Sequence, residues 1–124
     1  MEIDQLHQYC LAKPGVTESF PFDQYTLVFK VMGKMFALIG LDKPDLSINL
    51  KCDPQRAIDL RDLHPEGILP GYHMNKAHWN TVRLHAGLPE RLITELIDHS
   101  YELVVAGLPR KVREALDEKS EGSS

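Results

Sequence analysis

No run of apolar residues in this chain of 124 residues approaches the ~20 that a membrane-spanning helix needs. The opening residues, Met1-Glu2-Ile3-Asp4-Gln5, carry neither the basic nor the apolar region of a secretory leader. A cytoplasmic protein with no membrane partner is expected. An excess of positive charge is missing too. Fourteen Lys and Arg stand against eighteen Asp and Glu, a net charge of −4, which gives no general attraction to phosphates. A nucleic-acid binder of this composition must gather its cations on one face.

Cysteine is scarce. Cys10 and Cys52 form no close-spaced pair, the pattern of separate thiols in a reducing compartment, and nothing in the spacing requires a disulfide. No serine stands in a Gly-x-Ser-x-Gly elbow, and no glycine run has the spacing that cradles a phosphate. Neither thiol has an identifiable partner base, although Cys52 precedes a predicted helix start, where a thiolate is favoured. A non-enzymatic protein without catalytic residues or a cofactor is expected.

The 43% hydrophobic and 26% charged shares are those of an ordinary globular protein. The length fits one domain over residues 1–118. Residues 119–124, polar and poor in apolar side chains, are expected to form a disordered tail.

Hydrophobic spacing gives the element order. Ile3, Leu6 and Cys10 predict a helix over residues 3–12, stopped by Pro14-Gly15. Residues 16–24 read as a connection, with Phe20-Pro21-Phe22 either pinned onto the core or available to stack on a ligand. Residues 25–32 and 35–41, joined at Gly33-Lys34, predict a hairpin. Its second strand is apolar on both faces, as a central covered strand would be. Residues 46–51 alternate strictly, with Leu46, Ile48 and Leu50 inward. Asp53-Pro54 opens a helix to about Leu63. Residues 68–73 and 79–85 read as strands four and five. The longest helix runs from Glu90 to about Val105, and a short last helix follows Pro109. The predicted fold class is α+β: a two-layer sandwich with one five-stranded antiparallel sheet covered by helices on one face, order α-β-β-β-α-β-β-α-α.

Polar chemistry concentrates in residues 70–85, which hold the single Trp and three of the six His. His73, His78 and His85 do not form a metal set. Along a strand His85 stands roughly 20 Å from His78, and two remaining imidazoles without a nearby Cys, Asp or Glu make a weak site. From Pro70 to Arg91 the cations Lys76, Arg83 and Arg91 face the single acid Glu90. Tyr72, Asn75, Asn80 and Trp79 interleave with them, a composition able to touch phosphates and stack on bases. Trp79 as the sheet's core anchor is the competing reading.

Several separated blocks resemble the MmcQ/YjbR family of small bacterial proteins. They are Lys13-Pro14-Gly15-Val16-Thr17-Glu18, Phe20-Pro21-Phe22, Lys34-Met35-Phe36-Ala37, Leu46-Ser47-Ile48-Asn49-Leu50-Lys51-Cys52, Pro70-Gly71-Tyr72-His73-Met74-Asn75-Lys76 and His78-Trp79-Asn80-Thr81-Val82. The chain departs from the family pattern at Ala77, where relatives often carry a basic residue. The resemblance implies a type III secretion chaperone-like fold of order α-β-β-β-α-β-β-α. It also implies a double-wing DNA-binding motif, with no established enzymatic activity or cofactor. Carried onto this chain, the wings are the turn at Gly33-Lys34 and the turn from Met74 to His78. The DNA contacts implied are Lys34, Tyr72, His73, Asn75, Lys76, His78, Trp79 and Arg83. The alternative is a protein- or small-ligand-binding module that uses the sheet surface. The oligomeric state is left open.

Overall fold

The computed structural model describes residues 1–72 and 74–122, with side chains as far as Lys119. His73, one of the residues implicated in DNA contact, lies outside the described residues. Among the described residues four helices and six strands follow in the order α1 (Ile3–Leu11), β1 (Val16–Ser19), β2 (Thr26–Val31), β3 (Lys34–Gly40), β4 (Ser47–Lys51), α2 (Pro54–Leu63), β5 (Ile68–Pro70), β6 (Trp79–Arg83), α3 (Glu90–Ala106) and α4 (Arg110–Gly122). The strands form one antiparallel sheet, β1-β2-β3-β4-β6-β5. Among the described residues no helix is long and apolar enough to cross a membrane.

The architecture is α+β as expected, but the sheet has six strands rather than five. The additional strand is β1, whose residues Val16–Ser19 pair with Ser19↔Val28 at one end and Val16↔Val31 at the other. Its sequence, Val-Thr-Glu-Ser, has one apolar residue and leaves three of its four positions exposed. An edge strand held by backbone bonds on one side needs no apolar alternation, so a periodicity argument misses it. Strand four is shorter than expected: β5 ends at Pro70, which has no N–H to donate, and the chain leaves the sheet after a last bond from Gly71 N–H to Trp79 O at 2.9 Å. At the other end α4 carries helical backbone to Gly122, into the segment expected to be a disordered tail. Ser123 and Ser124 lie outside the described residues.

The first hairpin turns at Met32-Gly33, one residue earlier than expected, and Val31 pairs with Lys34. Met32 and Gly33 have φ of 49° and 87°. A two-residue turn of the I′ type needs positive φ at both positions, and glycine takes the second without strain.

One face of the sheet packs on α1, α2 and α3. Leu27, Phe29, Val31, Ala37, Ile39, Ile48, Leu50 and Val82 join Leu6, Cys10, Ile93, Leu96 and Ile97 in one core. A β-bulge falls within β3: Phe29 pairs with Ala37 but Lys30 with Met35, leaving Phe36 opposite no residue. Phe36 and Ala37 therefore both reach the core, while Met35 and Leu38 both reach the opposite face. This is the physical origin of the double-sided apolar run in β3.

A bulge leaves backbone groups without ladder partners. Ser100, fully buried on α3, supplies them. Its Oγ donates to Phe36 O at 2.5 Å and accepts from Lys51 N–H at 2.9 Å. The hydroxyl is thus wedged between β3 and β4. On the α1 side, Lys13 Nζ and the Tyr9 hydroxyl both donate to Asp98 Oδ1, at 2.5 and 2.7 Å, and the Tyr101 hydroxyl donates to Pro14 O at 2.6 Å. Burial and the Asp98 bond push the Tyr9 hydroxyl up to about 12. These bonds tie the Lys13-Pro14-Gly15 corner to α3.

The start of α2 is capped from two directions. Asp53 Oδ2 accepts from Arg56 N–H at 3.1 Å, and Asp53 N–H donates to His99 Nε2 at 3.1 Å. An imidazole that accepts at Nε2 must be neutral. Burial, and next the Arg56 charge, hold His99 below its usual 6.5. The unfolded chain then binds this proton first, so stability falls as pH drops below 6.5 and levels off beneath the folded pKa. In urea midpoints from about pH 8 to about pH 5, His99→Gln, which accepts without titrating, should remove part of the acid-side decline. An unchanged decline would assign it to other groups.

Candidate functional site

The outward face of the sheet is not bare. Leu38 and Val28 are buried although they point away from the helices and belong to no part of the main core. A cavity of about 550 Å³ lies over this face. Its floor is β3 and β4: Met35, Leu38 and Gly40 beside Ser47 and Asn49. One wall is Phe22 and Asp23 from the β1–β2 loop, with Thr26. The other is Tyr72 and Met74 from the β5–β6 loop, with Thr81. The β3–β4 turn, Asp42-Lys43, closes one end. Three strand steps separate β2 from β6, so the walls rise from strands roughly 14 Å apart.

Each wall has a local cause. Asp23 Oδ1 accepts from Tyr25 N–H and Thr26 N–H at 2.8 and 2.6 Å, and Oδ2 accepts from the Thr26 hydroxyl at 3.1 Å. These donors, Tyr25 N–H first, hold the Asp23 carboxyl below its usual range. The turn they fix presents Phe22, 63% exposed, at the cleft rim. Phe20-Pro21-Phe22 is therefore not pinned onto the core: Phe20 is 48% exposed as well.

The opposite wall is folded back onto the sheet by a short polar relay. Tyr72 N–H donates to Thr81 Oγ1 at 3.0 Å, and Thr81 Oγ1 donates to Asn49 Oδ1 at 2.5 Å. Gly71 makes the approach possible. A Cβ there would lie 2.8 Å from Trp79 Cβ and 2.9 Å from Trp79 O, distances that real side chains do not reach.

The turn from Asn75 to Trp79 is built separately. Asn75 O accepts from His78 and Trp79 N–H, at 3.1 and 2.9 Å, and Asn75 Oδ1 accepts from Ala77 N–H at 3.0 Å. Arg61 of α2 clamps it, donating from Nε to Asn80 Oδ1 at 2.7 Å and from its guanidinium to Lys76 O. Asn75 thus stabilises its own turn.

Of the described residues implicated in DNA contact, Tyr72 alone lines the cleft. Lys34, Lys76 and His78 are exposed, and the ladder register puts the Lys34 end of β3 level with Lys51 and Trp79. The two proposed wings therefore emerge at the same end of the sheet. Arg83 does not join them. It pairs with Ser47 at the other end of β6, and its guanidinium donates to Asp45 Oδ2 and to Glu66 O, both at 2.6 Å. Trp79 is half-buried and outside the core, so it is no core anchor.

Both thiols are buried, which disfavours the thiolate. Burial pushes Cys10 up to about 12 and also raises Cys52, where desolvation outweighs the lowering by Arg56. Among the described residues no three His, Cys, Asp or Glu side chains come together to hold a metal ion.

A family model described as YjbR matches residues 11–103. The uncharacterized protein YjbR of Escherichia coli strain K12 is 39% identical over 116 residues, 94% of this chain and 98% of that protein. The chain belongs to the YjbR family. The crystal structure of Deinococcus radiodurans protein DR2400 superposes with a TM-score of 0.87 at 42% identity, covering 93% of this chain and 87% of that one. A Pseudomonas syringae protein superposes with a TM-score of 0.70 at 31% identity, covering 83% of this chain and 98% of its own. In this YjbR-family chain most cleft residues carried no sequence signal. Ser47, Asn49 and Thr81 alternate with apolar neighbours as a solvated face would, and Asp42-Lys43 reads as an ordinary turn. The double-sided apolarity of β3 and the exposed Phe20-Pro21-Phe22 were the signals available.

Proposed function

We propose that this YjbR-family chain is a non-catalytic binding module whose open-face cleft takes a small, largely apolar ligand. One observation carries the reading: a cavity of about 550 Å³ lined by Phe22, Met35, Leu38, Tyr72 and Met74 around a polar Ser47-Asn49-Thr81 row. The volume falls within the roughly 300–1,000 Å³ of small-molecule sites, which pair apolar walls with a few placed polar groups. Two methionines suit an apolar body of irregular shape, because the thioether chain repacks easily. The described lining offers shape, fixed hydrogen-bonding groups and the charges of Asp23, Asp42 and Lys43.

The neutral fluorophore N-phenyl-1-naphthylamine tests this. Its emission should rise on titration with the protein. Leu38→Trp, which fills the floor, should weaken binding at least about tenfold, and Lys76→Glu should not change it. No rise, or equal affinity for the Leu38→Trp protein, overturns the reading.

One observation favours a second reading, DNA contact through Lys34 and Lys76: the two turns share one end of the sheet. Arg83, already bonded to Asp45, leaves few cations for it, and binding would be weak and salt-sensitive. Fluorescence anisotropy with duplex DNA at low salt should show binding that Lys34→Glu with Lys76→Glu abolishes. Binding that persists in the double variant contradicts it.

A further inference from the structure

The polar groups of the cleft are unevenly placed, and their placement restricts the ligand. Along the floor, Asn49 Oδ1 already accepts from Thr81 Oγ1 at 2.5 Å, and the Asn49 amide N–H₂ is a donor on a residue that lines the cavity. At the closed end stand two opposite charges. Gly40 has no side chain, and a Cβ built on it would meet Lys43 Cγ at 3.3 Å and Asp42 Oδ1 at 3.8 Å. Both side chains therefore converge over Gly40 on the cleft side of the sheet. Lys43 Nζ lies 5.9 Å from the Tyr72 ring centroid, so the ammonium reaches across the cleft end to the far wall. Among the described residues neither Asp42 nor Lys43 forms an ion pair. Asp23, the third charge of the lining, already accepts from two backbone N–H groups and the Thr26 hydroxyl.

Each simple ligand class leaves a mismatch. A purely anionic amphiphile gains Lys43 but shares the lining with the carboxylates of Asp42 and Asp23. A purely cationic one meets Lys43. A neutral apolar molecule uses neither charge. A ligand carrying one positive and one negative group, with an apolar body, satisfies both ends at once.

Resting on the reading of the cleft as a ligand site, we propose that its ligand is a zwitterion with an aromatic body, an aromatic α-amino acid or a dipeptide of such residues. The ammonium pairs with Asp42 and the carboxylate with Lys43. The side chain lies over Met35 and Leu38 between Phe22 and Tyr72, and in the dipeptide the peptide carbonyl oxygen accepts from the Asn49 amide.

Calorimetric titration with L-tryptophan, tryptamine, indole-3-propionate and the dipeptide Trp-Phe tests this. Tryptophan or Trp-Phe should bind about five- to tenfold tighter than tryptamine, which lacks the carboxylate, and than indole-3-propionate, which lacks the ammonium. Lys43→Met should erase the preference over tryptamine, and Asp42→Asn the preference over indole-3-propionate. Both side chains are exposed, and both variants should keep the wild-type thermal midpoint and far-UV circular dichroism. If the zwitterions bind no tighter than their half-charged analogues, or the preferences survive these substitutions, the ligand class is wrong while the cleft reading stands. If the wild-type protein binds none of these compounds and not the naphthylamine either, both fail.

Discussion

Replacing Ser100 with alanine is expected to lower the unfolding free energy by about 2–4 kcal/mol and the thermal midpoint by roughly 10 °C. The reason lies in the accounting of backbone groups. The bulge at Phe36 removes a ladder partner from β3, and the β3–β4 register ends at Ala37↔Leu50. Phe36 C=O and Lys51 N–H then rely on one buried hydroxyl, at 2.5 and 2.9 Å. Alanine removes the hydroxyl and leaves a part-buried donor and a buried acceptor, each unmet group costing about 1–3 kcal/mol. Urea denaturation of the wild-type and Ser100→Ala proteins measures it. A loss below about 1 kcal/mol, the size of a typical surface change, would mean that water or a ladder shift satisfies the two groups.

The second large effect joins the fold to the site. Gly71→Val should destabilise the protein by about 1–3 kcal/mol and weaken naphthylamine binding at least about tenfold. The added side chain meets the Trp79 backbone at 2.9 Å, and backbone cannot rotate away as a flexible side chain can. The loop must lift, which breaks the Tyr72 N–H bond to Thr81 and withdraws the wall that carries Tyr72 and Met74. Gly107→Ala is the control, since a Cβ there meets nothing closer than 3.6 Å. If Gly71→Val loses stability but binds normally, the β5–β6 loop is not a wall of the site.

These two residues also mark where the sequence is legible and where it stops being so. Periodicity finds β3 and β4 because Met35 to Ile39 and Leu46 to Lys51 advertise burial directly. It finds α2 and α3 because Asp53-Pro54 and the Leu92/Leu96 stripe are local signals. It misses β1, whose edge position asks nothing of its side chains. It cannot see the bulge, since an extra residue in one strand is defined only by the register of its neighbour. The cleft is harder still. Ser47, Asn49 and Thr81 have the same alternation whether the face is open to water or roofed by a loop, and the roof depends on a close approach between Gly71 and Trp79. The stretch from Pro70 to His85 does matter, but by shaping one wall of a cavity as well as by displaying cations. Arg83, counted as a cation by sequence alone, is bonded to Asp45 thirty-eight positions away.

The central claim is that the open face of the sheet, and not the helical face or the turn end, is where this protein binds. Amide chemical-shift mapping during titration of the ¹⁵N-labelled protein with N-phenyl-1-naphthylamine tests it most directly. The account expects the largest shifts at Thr26, Leu38, Asn49 and Thr81, with little change at Lys34, Lys76 or along α3. Shifts confined to the Lys34 and Lys76 turns or to the helices, with Leu38 and Asn49 unmoved, would contradict it.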